Sequence, residues 1–176
     1  KIAEYKAKVD QDAELCKEKD PQKIEEYGVK KYWSNLNLHF PLYGADVKGT
    51  LFDKTKADSN WNLNHLDSLL KLANKDALGK RTLAGINTPY LYIGGFRTTF
   101  AWHVEDLNMA SINFHHYGAP KFWYGISRSD YKKFESFVKA RMPEKFIECN
   151  ELLRHKTTMI NPYLLKSMCP DIKIIK

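Results

Sequence analysis

The stretch "TTFAWHVEDLNMASINFHHYGAPKFWYGI", Thr98 to Ile126, sets an imidazole and a carboxylate, His103 and Glu105, into a run that otherwise reads as aromatic β-strand. Its neighbours "TPYLYIGG", "SINFHHYG" and "KFWYGI" are likewise aromatic and punctuated by Gly or Pro, so a strand core is expected from Gly85 onward. Residues i and i+2 of a strand share a face, which points His103 and Glu105 the same way about one ligand bite apart. A facial arrangement of two histidines and one carboxylate for Fe(II) is built on such a pair, with positions left open for co-substrate and dioxygen. The HxE spacing also arises by chance, and a His–Glu hydrogen bond at a strand end is the plainer alternative.

Outward from this stretch, 176 residues suit one domain with a sizeable core. Apolar residues at 43% and aromatics at 13% exclude a disordered chain. No apolar run is long enough to span a bilayer, and KIAEYKAKVD lacks the apolar centre of a signal peptide. Cys16, Cys149 and Cys169 are sparse, odd in number and without CxxC spacing, which argues for a reducing, intracellular setting. A net charge of +7 favours polyanionic surroundings such as chromatin, with any direct DNA contact unspecific; a merely lysine-rich surface explains the charge equally well.

The first 34 residues form a charged segment that reads as two helices broken near Asp20-Pro21, and 35–176 read as the main domain. Short strands and turns are expected in "LHFPLYGADVKGTLFD". A helix is expected from Leu63 to Ala73 on the stripe Leu66, Leu69, Leu70 and Ala73. Beyond the strand core, "SRSDYKKFESFVKARM" reads as a helix capped by Ser127 or Ser129, with Tyr131, Phe134, Phe137 and Val138 on one face. A short helix over "NELLRH", a strand over "TTMI", a helix opened by Asn161-Pro162 and a starting strand in IKIIK follow.

An anionic co-substrate beside a metal needs a cation and hydrogen-bond donors, and Asn113, Lys121 and Trp123 stand on the expected next strands. A lysine buried between aromatics is costly unless it meets an anion; a snorkelling edge lysine is the alternative.

Residues 88–126 resemble the JmjC (Jumonji-C) histone lysine demethylases, as do "FPLYGADVKGTLFD" and "LLRHKTTMINPYLLK", so the likeness runs from about Tyr32 onward. That resemblance implies a mainly β fold with helical inserts, a double-stranded β-helix of the jelly-roll or cupin type. It implies dependence on Fe(II) and 2-oxoglutarate, and removal of methyl groups from di- and trimethylated lysine on the histone H3 tail in the nucleus. Formaldehyde and succinate would be the products. "FAWHVED" and the downstream Cys-His pair are similar to the branch acting on lysines nine and thirty-six of H3.

By position, the resemblance makes His103 and Glu105 iron ligands and gives Tyr43, Lys121, Asn113, Phe100 and Trp123 to the 2-oxoglutarate pocket. It gives Gly85, Tyr90 and Tyr92 to the methyl-lysine pocket, where tyrosines suit a methylated ammonium; ordinary strand packing is their alternative. Cys149 and His155 would be two of four ligands of a structural zinc, and Lys156 a residue near the iron pocket. Cys16 and Cys169 receive no role; His39 and His65 read as surface or loop histidines. His116 follows the family wording and His115 departs from it.

The family's third iron ligand, a histidine on a later strand, and two closing zinc cysteines are expected beyond Lys176, which would leave this chain an incomplete β-helix. A truncated, catalytically inactive chromatin-binding module is the rival reading, and protein or RNA hydroxylation on the same scaffold is a third.

Overall fold

The computed structural model describes residues 2–8, 17–36, 40–56, 59–66, 68–69 and 83–176. The chain divides into two compact units, Lys1–Thr98 and Thr99–Lys176. Cys16, His39 and most of the helix expected over 63–73 lie outside the described residues.

In the first unit, α1 (Ile2–Lys8) and α2 (Pro21–Ser34) fall on either side of the Asp20-Pro21 break. The carboxylate of Asp20 accepts from the Gln22 N–H at 3.0 Å and Pro21 occupies the first helical position, where its missing N–H costs nothing. The antiparallel pair β1 (Gly44–Lys48) and β2 (Tyr90–Ile93) runs in register at Val47–Leu91 and Lys48–Tyr90, then slips before Gly44–Ile93. Asp46 sits in that irregularity at φ 55°, a left-handed conformation that aspartate tolerates, and the bulge re-aims its side chain. The loop after β1 is organised by Asn62, which is buried. Its amide donates to the carbonyls of Asp53 and Lys56, both at 2.8 Å.

The second unit holds the apolar core. α3 (Tyr131–Arg141) buries Phe134 and Val138 and packs Tyr131 and Phe137 beside them, as the periodicity predicts. α4 (Pro143–Glu148) adds Phe146, a 3-10 turn at Leu152–His155 adds Leu152 and Leu153, and α5 (Pro162–Met168) adds Leu165. The side chain of Asn161 caps α5 by accepting from the Tyr163 N–H at 2.9 Å. β3 (Gly125–Ile126) pairs antiparallel with β4 (Ile174–Ile175), the strand expected in IKIIK. Asp130, rather than either serine, is the residue before α3, and its carboxylate accepts from the Lys173 N–H at 3.1 Å.

Two expectations change. The described chain is not dominated by strands: between β2 and β3 only Trp102 forms a bridge, antiparallel to Thr158, and the expected "TTMI" strand is reduced to that contact. Aromatic, β-branched sequence supplies the capacity to pair, whereas a strand exists only where a partner's N–H and C=O groups lie alongside. The short helix expected over "NELLRH" is present as a 3-10 helix, Leu152–His155. Among the described residues no helix is long and apolar enough to cross a membrane.

Candidate metal centre

Trp102 anchors the backbone beside His103 and Glu105. Its backbone N–H donates to Thr158 at 3.0 Å, its indole N–H donates to the Ile160 carbonyl at 2.9 Å, and its ring packs 5.2 Å from that of Phe134. With Trp102 committed to the core, alternation turns His103 away from it.

His103 Nδ1 lies 2.7 Å from the Ala101 carbonyl. A carbonyl can only accept, so Nδ1 carries a hydrogen, and the neutral ring then has its lone pair on Nε2. That lone pair is on the side of Glu105, whose Oε1 is 3.9 Å away. The distance is too long for the plain hydrogen bond offered as the alternative. Two unshared donors, one imidazole nitrogen and one carboxylate oxygen, thus converge without satisfying each other. Such a set suits Fe(II) or Mn(II), and the backbone hydrogen bond on the far ring nitrogen is what fixes a ligating imidazole. Among the described residues no third His, Cys, Asp or Glu joins them.

Phe100 stands edge-on to His103, ring centroids 6.3 Å apart. No hydrogen bond, ion pair or ring contact joins Asn113, Lys121 or Trp123 to His103 or Glu105 among the described residues, and all three lie outside the strands. Lys121 is exposed rather than buried between its aromatic neighbours, and Trp123 is half exposed. Burial is decided by what packs over a segment, and among the described residues no strand pairs with this one. Partial desolvation still lowers the Lys121 pKa from its ordinary value.

In the first unit, β1 and β2 gather the other predicted tyrosines. Tyr43 and Tyr92 are 6.3 Å apart between ring centroids, Tyr90 and Tyr92 6.4 Å, and the Tyr92 hydroxyl donates to Asp46 Oδ1 at 2.7 Å. Burial, then the Asp46 charge, then Tyr5 push the Tyr43 phenol up to about 12. Burial and the Asp46 hydrogen bond raise Tyr92 as well. Both phenols are neutral at physiological pH. Gly85 has φ 77° and lies against the Tyr90 ring, where a Cβ would overlap it.

Cys149 and His155 also come together, with Sγ 3.1 Å from Nε2, although no further ligand joins them among the described residues. Lys156 forms an ion pair with Asp106 at 3.7 Å. Three residues went unread in the sequence: Asp46, the partner of Tyr92, and the pair Arg154 and Asn108, whose side chains meet at 3.3 Å. The short "YGAD" turn is the one signal that points to Asp46.

Residues 90–175 match the family described as JmjC domain, hydroxylase. That stretch is similar to a JmjC domain. It implies a cupin-like jelly-roll as the parent fold. The chain is 42% identical over 137 residues to lysine-specific demethylase 4B of Mus musculus, covering 78% of this chain and 12% of that relative. It is 41% identical over 138 residues to lysine-specific demethylase 4D of Rattus norvegicus, covering 78% and 26%. Against probable lysine-specific demethylase 4F of Homo sapiens it is 39% identical over 137 residues, covering 78% and 21%. The chain therefore spans well under a third of the length of these relatives. The matched segment contains His103, Glu105, the Trp102 anchor and the Cys149–His155 pair, whereas Tyr43, Asp46 and Gly85 precede it.

Proposed function

We propose that this chain contributes the iron-holding part of an Fe(II)- and 2-oxoglutarate-dependent oxygenase that demethylates di- or trimethylated lysine on the histone H3 tail in the nucleus. The single observation that carries the reading is the convergence of His103 and Glu105: Nδ1 of the imidazole is held by the Ala101 carbonyl, and Nε2 is turned to the Glu105 carboxylate at 3.9 Å. The JmjC match and the demethylase relatives support the same chemistry.

When bound, Fe(II) and 2-oxoglutarate would activate dioxygen, one oxygen atom hydroxylating an N-methyl group and the other entering succinate as 2-oxoglutarate loses carbon dioxide. The chain's own residues bind and orient. His103 Nε2 and Glu105 hold the metal, and this reading requires a third ligand, a histidine, from further polypeptide. Phe100 gives the imidazole an apolar neighbour.

The Tyr43 phenol keeps its proton because burial and Asp46 oppose the anion. A protonated phenol suits a carboxylate such as those of 2-oxoglutarate. In the second unit, Lys121, Asn113 and Trp123 are separate candidates for contact with that co-substrate, the Lys121 ammonium as counter-charge. Tyr92 donates its proton to Asp46, and the phenol oxygens and ring faces of Tyr90 and Tyr92 suit a methylated ammonium beside Gly85. The hydroxylated methyl then leaves as formaldehyde, the nitrogen keeping the electron pair. Cys149 and His155 would hold a structural zinc together with two thiolates from elsewhere.

The test is mass spectrometry of trimethylated H3 peptides incubated with the full-length protein, Fe(II) and 2-oxoglutarate. Loss of one methylene mass with equimolar formaldehyde is expected. A stable gain of one oxygen would instead identify a hydroxylase, and peptide binding without turnover an inactive chromatin-binding module.

A further inference from the structure

The segment 102–108 runs antiparallel to 154–160. Trp102 is bonded to Thr158 and Ile160, Asp106 lies against Lys156, and the Arg154 guanidinium donates from Nη2 to Asn108 Oδ1 at 3.3 Å. The metal-binding pair is thus bracketed on both sides by one run of chain. Before His103 the bracket is a backbone bridge to buried Thr158; after Glu105 it consists of side chains alone.

The turn held by the second bracket is sterically costly. Leu107 and Asn108 are consecutive non-glycine residues at φ 56° and 54°. Asparagine tolerates that region and leucine does not. Leu107 is also exposed, so packing does not hold it there. Strained turns persist where their surroundings over-determine them. Arg154 is suited to that task because its fork is itself fixed: Nε donates to Glu151 Oε2 at 2.6 Å, which leaves Nη2 for Asn108. The Asn108 N–H in turn donates to the Glu105 carbonyl at 2.9 Å.

We infer that Arg154 is a positioning residue for Glu105, acting through Asn108 to hold the backbone from which the metal-binding carboxylate projects. The inference rests on the metal-binding reading above. The competing account is an exposed polar contact that contributes nothing measurable.

The probe is Mn(II), which prefers oxygen and nitrogen donors to thiolate and so discriminates against the Cys149–His155 pair. Binding is read by electron paramagnetic resonance in the full-length protein. R154A and N108G should each weaken Mn(II) affinity by roughly threefold to tenfold, as for residues that orient a ligand from outside its shell. N108D keeps the acceptor and should keep the affinity. The R154A/N108G double variant should bind no more weakly than the weaker single variant, because both remove one interaction. The thermal midpoint of N108G, which eases the backbone, should remain near that of the wild type. Wild-type Mn(II) affinity in R154A, or fully additive losses in the double variant, overturns the inference. A wild type that binds no Mn(II), or an H103A variant that binds it as tightly, sinks the metal reading itself; loss in H103A with no change in R154A sinks this inference alone.

Discussion

The indole of Trp102 donates to the carbonyl of Ile160 at 2.9 Å, fifty-eight positions along the chain, and so fastens the residue beside His103 to the apolar core. Replacing Trp102 by Phe keeps much of the ring contact with Phe134 and leaves that carbonyl without its donor. The loss expected is about 1–3 kcal/mol, the cost of stranding a polar group. Urea denaturation measures it, and a variant as stable as the wild type contradicts the anchoring role.

Leu165 is fully buried in the cluster formed by α3, α4 and α5. Leu165→Ala should destabilise by about 2–5 kcal/mol, lost transfer energy plus the cavity left behind. The midpoint of chemical denaturation reads this out. A change under about 1 kcal/mol would mean that the site collapses to fill the space or that the packing differs.

Gly85 is constrained twice, by φ 77° and by the Tyr90 ring against its Cα. Gly85→Ala should therefore cost more than the ordinary left-handed penalty of about 1–2 kcal/mol and should displace Tyr90. The first effect is read by thermal denaturation. The second is read by a changed near-ultraviolet circular dichroism of the tyrosines, and an unchanged spectrum would contradict the contact.

The phenols of Tyr43 and Tyr92 are raised from the ordinary value near 10, Tyr43 to about 12. Between those values the unfolded chain has lost the Tyr43 proton that the folded chain keeps, so stability is intact below about pH 10 and falls as pH rises toward 12. Asp46→Asn keeps an acceptor and removes the charge, which should bring both titrations down. Ultraviolet titration of tyrosinate checks this, and an unmoved Tyr43 titration in Asp46→Asn would assign its shift to burial and Tyr5.

The helices were legible because their evidence is local. Asp20-Pro21 and Asn161-Pro162 start helices where such residues satisfy exposed N–H groups, and the spacing of Phe134 and Val138 puts both on the buried face. The convergence of His103 and Glu105 was legible for the same reason, two residues on one side of an extended chain. The strands were not, because pairing is long-range: nothing in "FAWHVED" says that only Trp102 meets a partner, or that the partner is Thr158. The exposure of Lys121 and the Arg154–Asn108 bond were hidden likewise, since each depends on which distant segment lies nearby.

The central claim is that His103 and Glu105 hold one metal ion from the same side. Anaerobic equilibrium dialysis of the full-length protein against Fe(II), with iron counted per chain, tests it directly. The account predicts close to one tightly held iron in the wild type and its loss in both His103→Ala and Glu105→Ala; equal iron in all three proteins would contradict it.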